Sequence, residues 1–200
     1  MATFVSSDLH FFHSNIIKYC PESRGHFTSI DEMNETIVKN FNSVVRPTDH
    51  LILVGDIGFA SPEKVVWMLS RLNGTKTLIW GNHDKKFRKS AEYQANISRM
   101  KIAHTSDYHE MSHTHKDGEK FNFVFGHFPF SEWDRKHHGT INCHGHCHSP
   151  SSRKYLQGTR VRQIDIGVDG NFMMPYNLDD ICDEMRLRQD FRSHHYEGEK

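Results

Sequence analysis

Two hundred residues, 36% of them hydrophobic and 12% aromatic, make a chain long enough for one well-formed core and too apolar to stay disordered. Lysine plus arginine and aspartate plus glutamate number 25 each, and this neutral balance argues against a partner of long nucleic acid held by non-specific charge. No run of about 18 apolar residues predicts a membrane span, and the start MATFVSSDLHFFHSN lacks a basic then apolar leader, so a cytoplasmic protein is expected.

In chain order, Thr3–Ser6 reads as a short strand running into polar residues at Asp8. Residues 30–41 carry apolar side chains at 30, 33, 37 and 41, a helical stripe, with Thr28 or Ser29 as its cap. His50–Val54 is a buried strand ending in Gly55-Asp56, and Ser61-Pro62 opens a helix to Leu72. Lys76–Trp80 is a third strand ending in Gly81-Asn82-His83-Asp84, followed by a helix to about Asn96.

The second half is strand-rich: Met100–Ala103, Tyr108–His115, Phe121–Phe125, Thr140–Cys143 and Val161–Ile166, with a turn at Lys116–Glu119 and a closing helix over Leu178–Gln189. The polar tail after about 191 is expected to be mobile. No linker or repeat divides the chain, so residues 1–200 read as one domain. Strand–helix alternation followed by strands predicts an α/β fold, a two-layer β-sandwich flanked by helices.

Polar clusters fall where predicted strands stop, the place where α/β sheets build sites. Asp8 and His10 follow the first strand, Asp56 the second, Asn82, His83 and Asp84 the third; His127 follows Phe121–Phe125, and His146 and His148 follow Thr140–Cys143. On an extended segment, residues two apart point to one side, which would aim Asp8 with His10 and His146 with His148. Seven ligands of mixed nitrogen and oxygen type are too many for one ion, but suit two divalent ions sharing a carboxylate. Histidine is the compositional outlier, at 17 of 200 residues. Glycines at 55, 81, 126 and 145 would permit close backbone approach. Asp56 and Asn82 have an alternative use as turn residues.

The ordered series DLH, GD, GNHD, GH and GHCH resembles the calcineurin-like metallophosphoesterase pattern D-x-H, G-D-x-x-D/N, G-N-H-D/E, G-H and G-H-x-H, and the opening is similar to small stand-alone bacterial and phage members. The resemblance implies that Asp8, His10 and His148 hold one metal, that Asn82, His127 and His146 hold another, and that Asp56 bridges them. It implies that His83, with Asn82, faces the substrate phosphate, and that Asp84 orients His83 by accepting its other ring N–H. The metals would be two divalent ions, manganese first, with iron, zinc, nickel or cobalt as alternatives. They would hold a hydroxide that attacks phosphorus while His83 protonates the leaving oxygen or stabilises the charge on phosphate. One position departs from the pattern: Phe59 stands where the second motif has its downstream acid.

The expected activity is that of a phosphodiesterase on a small nucleotide or cyclic nucleotide. A phosphomonoesterase, a nuclease and an inactive metal-binding scaffold are the alternatives. The expected partner is a small phosphorylated substrate, with no membrane and no long nucleic acid; the oligomeric state is left open. Cys143 and Cys147 with nearby histidines allow a structural zinc as a competing use. His13, His109, His113, His115, Arg135, Lys136, His137 and His138 would either contact substrate or sit in solvent, and Tyr19, Phe11, Phe12, Phe128 and Phe130 would stack on a base or pack the core.

Overall fold

The computed structural model describes residues 1–149 and 162–188. Its first sheet runs β4-β3-β2-β1-β9, with β1 at Thr3–Ser6, β2 at His50–Val54, β3 at Thr75–Ile79, β4 at Ile102–Ser106 and β9 at Tyr176–Asn177. The first four strands are parallel, and β9 lies antiparallel to β1 through Phe4↔Asn177 and Val5↔Tyr176. The second sheet runs β5-β6-β7-β8, from Tyr108–Thr114, Lys120–Gly126, Ile141–His144 and Gln163–Asp165. There β5 and β6 form a hairpin across the Lys116–Glu119 turn, while β6, β7 and β8 are parallel.

Side-chain alternation explains the layering. Phe4, Leu51, Leu53 and Leu78 face a core shared with Met33, Ile37 and Phe41 of α3 (Ile30–Val44) and Val65, Val66 and Leu69 of α4 (Pro62–Arg71). The alternate residues Val5, Ile52, Val54 and Ile79 face Phe121, Phe123, Phe125, Ile141 and Ile164 of the second sheet. The closing helix α7 (Leu178–Leu187) adds Leu178, Ile181, Cys182 and Met185 to that inter-sheet core. This is the expected α/β architecture of two sheets flanked by helices. No helix among the described residues is long and apolar enough to cross a membrane.

Local chemistry sets most element ends. The Ser29 side chain accepts from the Glu32 N–H, and Glu32 accepts from the Thr28 N–H, a reciprocal cap for α3. Pro62 opens α4, although Ser61 makes no side-chain cap bond. The single helix expected to about Asn96 is instead two short ones, α5 (Lys85–Arg88) and α6 (Ala91–Ala95). Ser90 divides them: its hydroxyl donates to the Phe87 carbonyl and accepts from the Tyr93 N–H, closing one helix and capping the next. Strand β4 starts later than expected because Lys101 turns the chain with φ 55°. The short helices α1 (Ile16–Tyr19) and α2 (Pro21–Arg24), like the two-residue β9, are too brief for a periodicity to announce them. The start of the expected Val161–Ile166 strand, the end of the closing helix at Gln189 and the polar tail lie outside the described residues.

At the amino ends of the strands, Lys76 is fully buried on β3, and its Nζ donates to the Leu72 and Gly74 carbonyls beyond the end of α4. Burial, with a smaller contribution from the Lys101 charge, lowers its pKa to about 8. Between that value and the ordinary lysine value the unfolded chain binds more protons than the folded one, so stability rises with pH. Relative to Lys76→Met, the wild type should therefore gain on the order of 1–3 kcal/mol between pH 8 and pH 10.5 in urea unfolding. A flat difference across that range would contradict a buried, titrating ammonium.

Candidate metal centre

The carboxyl ends of β1, β2, β3, β6 and β7 converge at one edge of the sandwich and bring together Asp8, His10, Asp56, Asn82, His127, His146 and His148. Ligand atoms of Asp8, His10 and His148 lie within 4.8 Å of one another, and so do those of Asp56, His127 and His146. Asp56 stands between the groups, its Oδ2 lying 3.4 Å from His127 Nε2 and 3.7 Å from His10 Nε2. Asn82 Oδ1 is 2.9 Å from His127 Nε2.

The local backbone that aims these groups is not the extended segment expected for the two-apart spacing. Asp8 (φ 56°), His10 (φ 50°), Asp56 (φ 55°), His146 (φ 71°) and His148 (φ 50°) are all left-handed. That conformation costs a non-glycine residue about 1–2 kcal/mol, and it persists only where surrounding bonds impose it. Here the Asp8 N–H donates to the Gly55 carbonyl, the His10 N–H to the Asp56 carbonyl, and the His146 N–H to Asp8 Oδ2. Two glycines leave the room this requires: a Cβ on Gly81 would strike the Asp56 carboxylate, and one on Gly145 the Asp8 carboxylate.

Two observations test whether divalent ions suit these residues. Asp8 Oδ1 and His10 Nε2 are buried without any hydrogen-bond partner, which leaves both atoms available to an ion. The histidines are also presented in ligand form. His127 Nδ1 lies 3.0 Å from the Val54 carbonyl, which can only accept, so Nδ1 keeps a proton and Nε2, beside Asp56 and Asn82, is the nitrogen left for an ion. His148 Nδ1 lies 2.9 Å from Asp169 Oδ2, leaving Nε2 facing Asp8. Nitrogen and oxygen donors in this mixture fit borderline divalent cations.

Without a cation the same groups gather protons. Burial opposes charge on His127, but its bond to Asp56 and the nearby carboxylates outweigh it and push the imidazole up to about 9. Burial likewise opposes charge on His148, and Asp169 overrides it, to about 10. Asp56 is held down to about 2, burial being overcome by His127.

Asp84 has a different job from the one expected. Its buried carboxylate accepts the Asp56, Ile57 and Gly81 backbone N–H groups and makes no bond to the His83 ring. It stitches the loop after β2 to the loop after β3. His83 is 46% exposed by side chain at the rim, and its backbone N–H donates to Asp56 Oδ1.

Asp169 and Arg24 are the residues the sequence reading missed. Arg24 is fully buried; it grips Asp169 with Nε and Nη2 at 2.7 and 2.6 Å, and donates to the Asp8 and Leu9 carbonyls. Asp169 in turn holds His148 and accepts from Ser23 Oγ. Asp169 follows a strand end, the signal that found the other carboxylates; nothing in the sequence marks Arg24.

Other candidates are placed elsewhere. Cys143 is buried in the inter-sheet core and Cys147 is exposed, and the described residues give them no metal-binding cluster. His113 pairs with Asp179 and His115 with Asp183, both on α7, while His115 also pairs with Asp117 in the hairpin turn, so neither faces the site. Lys136 is tied to Ser131 and Glu132. Arg135 lines a cavity of about 290 Å³ on the outer face of the second sheet, with none of the candidate ligands in its wall. Phe11 is core, whereas Tyr19 and Phe128 are exposed rings, the first edge-on to His13 and the second 4.6 Å from His146.

The sequence pattern of the calcineurin-like phosphoesterase family matches residues 1–182. An uncharacterized protein of Methanocaldococcus jannaschii, MJ1445, is 38% identical over 106 residues, covering 52% of this chain and 58% of its own length. The Gene 66 protein of Mycobacterium phage L5 is 28% identical over 184 residues, covering 84% of this chain and 86% of its own. A protein of unknown function from Aquifex aeolicus, AQ665, shares the fold, with a TM-score of 0.68 at 22% identity over 92% of this chain and 98% of that one.

Replacing Asp169 by asparagine would leave the Arg24 charge buried without its counterion and deprive His148 Nδ1 of its carboxylate. Stability should fall by about 3–5 kcal/mol in chemical unfolding. In the fraction that remains folded, affinity for a divalent ion should fall about 10- to 100-fold by calorimetry. Wild-type affinity in the folded variant would remove Asp169 from the site.

Proposed function

The chain belongs to the calcineurin-like phosphoesterase family and is a metal-dependent phosphoester hydrolase, and from that premise we propose that it cleaves the phosphodiester of a small nucleotide with a pair of divalent cations. The observation that carries this reading is the paired ligand groups, Asp8, His10, His148 and Asp56, His127, His146, with Asp56 facing both. Asp8, His10 and His148 would hold one ion; Asn82, His127 and His146 would hold the other; Asp56 would bind both. Manganese is the first candidate, with iron, zinc, nickel and cobalt next; the mixed nitrogen and oxygen donors admit all of them. When bound, such a pair activates a water and spreads positive charge over the phosphate oxygens.

The protein's own groups then set the rest. His83 reaches the rim beside the Asp56 carboxylate, its Nε2 3.9 Å from Oδ2, where a substrate phosphate would lie. His83 would give its proton to the departing ester oxygen as the P–O bond breaks, and the proton that the attacking water loses would pass to solvent. No side chain attacks phosphorus, so no phosphoenzyme forms. Tyr19 and Phe128, exposed on the two sides of the ligand cluster, offer stacking surfaces for a planar base and support a nucleotide substrate over an aliphatic phosphate. The four cysteines are free, which fits a reducing cytoplasm.

Protein reconstituted separately with each of these metals should be assayed on bis-p-nitrophenyl phosphate, p-nitrophenyl phosphate and cyclic nucleotides, and the diesters should show the higher kcat/KM. Asp56→Ala should lose bound metal and turnover together. His83→Ala should keep its metal while kcat falls about 10²- to 10⁴-fold. Full activity in His83→Ala would end the proton-donor role, and a metal-loaded wild type inert toward every ester would end the proposal.

A further inference from the structure

Among the described residues, nothing hydrogen-bonds the His83 imidazole. Asp84 is committed to three backbone N–H groups, and the Asp56 carboxylate stands 3.9 Å away. Yet a proton donor at a rim must be held in orientation, since a freely rotating ring meets the leaving oxygen only part of the time. The ring packed closest to it is Phe59, with centroids 4.5 Å apart and planes at 46°, while His10 stands at 6.1 Å.

Phe59 is itself firmly placed. Its N–H donates to the Phe11 carbonyl at 2.8 Å, and Gly58 pairs with Phe11 as an isolated bridge, so the loop after β2 is tied to the loop after β1. One face of its ring lies nearly flat against His13, at 3.9 Å and 14°, and it is also close to parallel with His10, at 5.0 Å and 17°. His13 Nδ1 is in turn 3.1 Å from His10 Nδ1. The rings form a packed series running from His13 through Phe59 to His83, beside a group of candidate metal ligands.

We infer that Phe59 is the positioning residue of His83: stacked on His13, it holds the His83 imidazole toward the substrate by ring contact, at the position where the family's second motif carries an acid. The inference rests on the proton-donor reading of His83. An aromatic contact restrains the ring's tilt without competing for the nitrogen that must deliver the proton, and without placing a carboxylate against the substrate's phosphate. The metal ligands do not depend on Phe59 for a hydrogen bond, so the effect falls on turnover and not on loading.

The test uses Phe59→Leu, which keeps an apolar side chain but no ring face, and Phe59→Tyr, which keeps the ring. In Phe59→Leu, kcat on bis-p-nitrophenyl phosphate should fall roughly ten- to a hundredfold with KM within about twofold and metal content unchanged. Phe59→Tyr should restore turnover. In a His83→Ala background, Phe59→Leu should change kcat by less than about twofold, because both substitutions remove the same contribution. A readout independent of activity comes from proton NMR of the metal-free protein. The ring-current displacement of the His83 C–H signals, assigned by their loss in His83→Ala, should be present in the wild type and Phe59→Tyr and absent in Phe59→Leu. Wild-type kcat in Phe59→Leu, additive effects in the double variant, unchanged His83 signals, or loss of metal in Phe59→Leu would each overturn the inference. A wild type inert toward all esters would instead refute the functional reading, while the NMR comparison would still report on the ring contact.

Discussion

A fully buried arginine holds together the edge that carries the candidate metal ligands. Arg24 reaches Asp169 with two nitrogens and the main chain of the Asp8 loop with the same guanidinium. A single planar group thereby ties α2, the turn after β8 and the loop after β1. The histidine on the loop after β7 then hangs from the other side of the Asp169 carboxylate. A buried ion pair of this kind is weak evidence for stability gained, because both charges leave water. Its value here lies in geometry: once Arg24 is folded inside, Asp169 has one orientation, and His148 must follow. Lysine in place of Arg24 would supply charge without the fork that makes those contacts at once.

Much of this was legible in the residues. The alternation of strands and helices up to Trp80, and the polar clusters at strand ends, gave the layers and the order of the site loops. Polar groups after β1, β2, β3, β6 and β7 could be read because parallel strands in a layered fold present their carboxyl ends together. The hairpin turn at Lys116–Glu119 and the Thr28 or Ser29 cap of α3 were equally local signals. Other features depend on contacts between distant segments, and a periodicity count cannot see those. Arg24 looks like any surface arginine until it is known to face Asp169, 145 positions away. The division between α5 and α6 turned on one serine that both closes and caps.

The assignment of Asp84 to the His83 ring failed for an instructive reason. Adjacent residues in a tight loop seldom face each other, and a buried carboxylate is best satisfied by several donors. Three backbone N–H groups from two loops fill Asp84's acceptors, so its burial is compatible with the charge Asp56 keeps beside it. The left-handed ligands tell a similar story. Spacing suggested an extended presentation, but closely packed sheet ends require tight local turns, and the neighbouring loops provide the hydrogen bonds that impose them.

The two residues of β9 have an effect out of proportion to their length. Without them β1, which leads into Asp8 and His10, would be the open margin of its sheet, with free N–H and C=O groups ready to recruit a strand from another molecule. Tyr176 and Asn177 occupy that margin, and Asn177 at once caps α7, which turns the chain away before the pairing can lengthen. The segment that carries the first candidate ligands is thus shielded from edge-to-edge aggregation by the shortest strand among the described residues.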